Sequence, residues 1–184
     1  GGSWEDIRAA LTGAEASTID LLVELYTELR IYGRKHVYLF SIPEDVRQVL
    51  LTQTPPTPES NFASDFPFPA KADGFVGPTL TRIMDSEDER CLIFCSHRWI
   101  DTQYPLEAKY LKDDVPEAIR SSRIKVMHRA RQQAYDVVVV PKTPDTLVEI
   151  RIDNFDCVTE PKFPESLYQI RSVFNDLYNN KIYA

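Results

Sequence analysis

Three groups of residues in this chain have types and spacings that suggest chemistry. Alternation along a strand-like segment places Cys91, Ile93, Cys95, His97 and Trp99 on one face. Two thiols and an imidazole can ligate zinc. The cysteines are separated by three residues within a strand rather than by the two of a zinc knuckle, and His128 and Cys157 are far off in sequence. As a Cys–His nucleophilic pair they fare worse, because neighbours on one strand face stand roughly 7 Å apart, too far for direct proton transfer. Buried core thiols are the plainer reading.

Asp136, Glu149 and Arg151 form the second group. Their layout resembles that of metal-dependent nucleases, in which paired carboxylates hold Mg²⁺ and a lysine supports the attacking water. Arginine in the third position cannot give up a proton. A hairpin turning near residues 143–144 would also set Asp136 opposite Arg151, as a simple cross-strand ion pair.

The third group is cationic: Arg120, Arg123, Lys125, His128, Arg129 and Arg131. From Glu117 to Arg131 five Arg or Lys face one Glu, a local charge of +4 on a chain whose net charge is −7. Such a patch suits phosphates, with Tyr135 nearby to stack a base. It equally suits acidic groups, on this chain or on a protein partner.

The elements that must position these groups follow from periodicity. Residues 114–134 read as a helix, capped by Asp113 or Asp114 with Pro116 in its first turn. Ile119, Val126, Ala130 and Ala134 form its apolar stripe. Val137 to Val140 then read as a strand apolar on both faces, ended by Pro141 to Asp145. Residues 147–153 alternate cleanly, with Val148, Ile150 and Ile152 pointing inward against Glu149, Arg151 and Asp153.

Elsewhere, capping signals predict helices over about 4–12 and 17–32, the latter with a stripe of Ile19, Leu22, Tyr26 and Leu29 and a left-handed end at Gly33. Residues 36–40 read as a strand, and 46–52 as either a strand or a short helix. If a strand, helix-plus-hairpin would occur twice in the chain, although two short matches carry little weight as a repeat. Residues 79–84 and 91–100 predict another hairpin around an acidic turn at 85–89, which lacks the glycine and spacing of a calcium loop. Residues 101–113 read as a connector. Pro164 opens a final helix to about 180, with Leu167, Ile170, Phe174 and Leu177 as its buried stripe.

The expected fold is therefore α+β, a mainly antiparallel sheet built from β-hairpins and packed by about four helices. The expected organisation is an N-terminal part (1–52), a Pro/Phe-rich connecting segment (53–71) and a C-terminal part (72–184), able to form one compact domain. With 43% apolar and 27% charged residues the chain is ordinary globular material. No apolar run approaches the ~20 residues of a membrane span. Three cysteines without framework spacing fit a reducing, intracellular setting, and Gly1-Gly2-Ser3 reads as an added leader rather than a signal peptide.

No glycine-rich phosphate loop occurs, nor HExxH, GxSxG or CxxC. The reading favoured is a non-catalytic interaction module with no cofactor or metal, docking onto protein within a larger assembly. Nucleic-acid binding through a basic helix at 120–131 is the first alternative, and a metal-dependent nuclease the second.

Overall fold

The computed structural model describes residue 12 and residues 16–56, 77–120, 122–143, 147–154 and 163–178. Residues 4–11 of the expected helix at 4–12, residues 57–71 of the Pro/Phe-rich segment and Cys157 lie outside these. Among the described residues the elements run α1 (Ala16–Tyr32), β1 (Lys35–Phe40), α2 (Glu44–Thr52), β2 (Thr79–Asp85), β3 (Glu89–Pro105), a 3-10 turn (Ala108–Tyr110), α3 (Glu117–Arg120), β4 (Lys125–Pro141), β5 (Val148–Asp153) and α4 (Phe163–Leu177). The strands form one sheet in the order β1-β5-β4-β3-β2, antiparallel throughout. The fold is α+β, as the hairpin pattern requires. No helix among the described residues is long and apolar enough to cross a membrane.

The valine quartet sits at the centre of the sheet, and each of its members is buried. Val138 and Val140 face one core with Leu92, Phe94, Ile150 and Ile152, closed by Leu50 of α2 and by Ile170 and Phe174 of α4. Val137 and Val139 face the other core with Cys91, Ile93, Cys95 and Tyr135, closed by Ile31 of α1. β-branched side chains apolar on both faces are what a strand between two helical layers needs. Strand β1, from the N-terminal part, completes the sheet by pairing with β5.

Residues 46–52 take the helical of the two expected forms, within α2, so helix-plus-hairpin does not occur twice among the described residues. Other expectations are corrected. α1 spans the expected range, but Leu29 on its predicted inner stripe is exposed, and Ile31 is the buried contact instead. Gly33 ends α1 for a different reason than a left-handed φ: a Cβ there would collide with the Leu29 carbonyl oxygen.

The largest correction concerns 114–134. Only Glu117–Arg120 is helical, and β4 begins at Lys125 and runs 17 residues to Pro141. Strand β3, expected to stop near 100, likewise reaches Pro105. The two pair without interruption from Glu89↔Pro141 to Pro105↔Lys125. Arg, Gln and Ala give residues 125–134 good helix propensity, worth only tenths of a kcal/mol per residue, about. A continuous ladder to a partner strand outweighs that preference.

Arg90 locks the near end of this hairpin to α2. Its Nε and Nη2 donate to the two Asp85 oxygens at 2.9 and 3.0 Å, and its Nη1 donates to the Leu50 and Gln53 carbonyls at 3.0 and 3.3 Å. The Arg90 hydrogen bonds hold the Asp85 carboxyl below its ordinary pKa. Arg90→Met is expected to cost about 2–3 kcal/mol in urea unfolding, since charge-assisted bonds are lost and helix-end carbonyls stay buried. A loss under ~0.5 kcal/mol, the size of a typical surface change, would show that α2 does not depend on it.

Candidate functional site

Beyond the core, β3 and β4 continue together as a projecting ribbon. β2 reaches β3 only at residues 79–85 against 90–95, and β5 reaches β4 only at Val137–Val139. From about 97–105 and 125–134 neither strand has an outer neighbour among the described residues. The tip between them carries the 3-10 turn and α3, joined at its base by the Leu106 N–H donating to the Ile124 carbonyl at 3.0 Å.

Register fixes which side chains share a face of this arm. Trp99↔Arg131, Asp101↔Arg129, Gln103↔Met127 and Pro105↔Lys125 lie on the face that continues from Cys95 and Tyr135, the α1 side. Ile100↔Ala130, Thr102↔His128 and Tyr104↔Val126 lie on the opposite face. Trp99 and Met127 are 64% and 59% exposed on the first face, and Tyr104 and Val126 are exposed on the second. Both faces thus show large apolar groups to solvent.

The six cations expected to line one helix are dispersed by this geometry. Lys125, Arg129 and Arg131 share the Trp99 face, whereas His128 is on the other. Arg129 forms a forked pair with Asp101, Nε and Nη2 donating at 2.7 and 2.9 Å. Arg131 lies over the Trp99 ring, 5.8 Å from its centroid. Lys125 donates to the Gln103 amide oxygen at 3.4 Å. Arg120 is turned onto its own tip, its Nε donating to the Val115 carbonyl at 3.1 Å and its Nη2 reaching the Lys112 carbonyl. Arg123 is exposed in the tip. Tyr135, considered as a base-stacking group, is fully buried beneath Arg30, 4.6 Å from its ring centroid.

The carboxylate pair fares no better as a metal site. Asp136 faces the α2–α4 core and Glu149 the α1 side, so the sheet itself stands between them. Arg151 lies opposite Val137 rather than Asp136, pairs with Glu149 at 2.7 Å, and stacks on Tyr32. Asp136 pairs instead with Arg98. Cys91 and Cys95 are buried free thiols, each pushed up to about 12 by burial, which leaves them protonated and unreactive at neutral pH. Among the described residues no three His, Cys, Asp or Glu side chains converge.

At the root of the arm is a cluster that sequence reasoning missed. The β4–β5 ladder ends at Val137, and side chains take over its bonding. The Tyr135 N–H donates to Asp153 Oδ2 at 2.6 Å, and the Asp153 N–H donates to Asp136 Oδ1 at 2.9 Å. Lys35 Nζ donates to the Tyr135 carbonyl at 2.6 Å and to Asp153 Oδ1 at 2.5 Å. Arg98 completes the set on the other Asp136 oxygen. Two cations and two anions thus clasp β1, β3, β4 and β5 where the ribbon leaves the sheet. Burial raises the Asp136 pKa and lowers that of Lys35, with the opposite charges working against both shifts. Every oxygen of the two carboxylates has a donor. This arrangement ties the four strands together at the root of the arm.

A groove of about 410 Å³ opens at the other end of β3, between α1 and the β2–β3 turn. Its walls carry Glu24, Glu28, Asp85 and Glu89 against Arg82, over an apolar base that includes Ile31 and Met84. Comparison of the chain with family models, with curated proteins and with solved structures returns no match.

Proposed function

We propose that the chain is a non-catalytic docking module whose contact element is the β3–β4 arm. The observation that supports this most directly is a two-stranded ribbon with no further strand paired to it among the described residues, with Trp99 and Met127 exposed on one face and Tyr104 and Val126 on the other. A lone two-stranded ribbon is at best marginally stable in water, so exposed anchors on such a ribbon favour a covering partner. Trp, Tyr, Met and Arg are also the residue types enriched at protein interfaces. The clasp supplies the rigidity that lowers the entropy cost of docking.

Phosphate binding is the weaker reading. Ribbons can enter a DNA groove, but Arg129 is committed to Asp101 and His128 points away from the other cations.

A photo-crosslinking residue at position 99, with a control at the exposed Tyr168 of α4, tests the proposal. Protein adducts are expected from 99 and not from 168. Trp99→Ser with Met127→Ser is expected to weaken capture at least tenfold, since interface anchors carry about 2 kcal/mol each. Adducts to nucleic acid alone, accompanied by salt-sensitive binding of labelled duplex, would sink the reading in favour of phosphate contact.

A further inference from the structure

We infer that the partner of the arm is a second copy of this chain, each arm lying across the other copy's α1 and acidic groove in a closed two-fold pair. This inference rests on the docking reading above and names its occupant.

Charge is the first support. Over 96–134 the arm and tip carry eight Arg or Lys against five Asp or Glu, a local +3, while the whole chain is −7. The rest of the molecule is therefore strongly acidic, and the groove sets Glu24, Glu28 and Glu89 against Arg82, its fourth acid, Asp85, being already paired with Arg90. Complementary potentials of this kind guide which surfaces meet.

Apolar surface is the second. On α1, Leu21, Leu25 and Leu29 recur every four residues, and all three are more than half exposed. Their stripe adjoins the groove rim, where Glu24 and Glu28 stand one turn apart. Trp99 and Met127, beside Lys125 and Arg131, present the matching combination of apolar and cationic groups.

Reach excludes the intramolecular alternative. Groove and arm lie at opposite ends of one continuous strand, β3. Cys91 lines the groove and Trp99 lies on the arm, eight residues further along. At about 3.3 Å per residue they are about 26 Å apart on a strand that cannot fold back on itself. Only another molecule can bring an arm to a groove. α1 and the Trp99 face of the arm lie on the same side of the sheet, with no helix of the described residues over that face of the arm. Two copies placed face to face and antiparallel seat each α1 over the other's arm. Every contact is made twice, and the assembly closes.

Sedimentation velocity on the full chain over a concentration series tests this. The wild type is expected at the mass of two chains. Glu24→Lys with Glu28→Lys, and separately Lys125→Glu with Arg131→Glu, are each expected at the mass of one, because each makes both contacts like-charged. An equimolar mixture of the two variants is expected to recover the two-chain species, since every contact in the mixed pair is again of opposite sign. All four positions are exposed, and circular dichroism matching the wild type confirms folding before mixing. A wild type at single-chain mass throughout overturns the inference, and adducts from position 99 to a different protein would then leave the docking reading intact. A two-chain species indifferent to both reversals also overturns it, as does a series of larger species, which would mean open head-to-tail association.

Discussion

Asp136→Ala is expected to destabilise the fold by about 3–5 kcal/mol, the cost of leaving a partly buried arginine unpaired and a buried N–H without an acceptor. The side chain is fully buried, accepts from the Asp153 N–H at 2.9 Å, and pairs with Arg98. Natural domains are stable by only about 5–15 kcal/mol, so the substitution removes a large share of the total. Asp136→Asn is the informative companion. It preserves an acceptor for the Asp153 N–H while removing the charge, and is expected to cost about 1.5–3 kcal/mol, the worth of one charge-assisted bond. Urea unfolding followed by far-UV circular dichroism would measure both. If alanine and asparagine destabilise equally, the acceptor has no separate role and the clasp described here is wrong.

Alkaline pH is expected to unfold this protein steeply. Burial pushes Cys91, Cys95 and Tyr178 each up to about 12. Their unfolded counterparts ionise near 8.5 for a thiol and about 10 for a phenol. A group whose folded pKa is raised contributes stability that is complete below its unfolded pKa and is lost as pH climbs towards the folded one. The vulnerable window is therefore about pH 9 to 12, the thiols contributing from its lower end and the tyrosine from about 10. Each group costs about 1.4 kcal/mol per pH unit within its window, so the three together remove roughly 4 kcal/mol per unit above pH 10. Thiolate absorption at 240 nm, recorded alongside circular dichroism, provides the check. Two of the chain's three thiols, Cys91 and Cys95, are expected to ionise only as the fold is lost. Ionisation of all three near pH 8.5 in folded protein would contradict the burial of Cys91 and Cys95.

Much of the architecture is written in short stretches of sequence. Val137 to Val140 reads as an interior strand, and Val148 to Asp153 alternates because one face is fully covered and the other only partly. Ile170 and Phe174 announce the buried side of the last helix, as the structure bears out. In each case burial on a definite side imprints a period, and a period is local information.

The arm carries no such imprint. Residues 125–133 are largely exposed on both faces, so neither a spacing of two nor one of 3.6 was selected into them, and a helical stripe through Val126, Ala130 and Ala134 was as consistent as a strand. Only the ladder to β3, whose partners lie 20 to 52 residues away, settles the matter. The clasp is more distant still: Lys35 meets Asp153 across 118 residues, and Arg98 meets Asp136 across 38. Ion pairs between remote segments leave no spacing rule in the chain, because a charged residue reads the same whether it is solvated or paired. Local patterning thus defined the layers of this protein, while long-range pairing turned a basic segment into a projecting ribbon and chose which of its charges remain available.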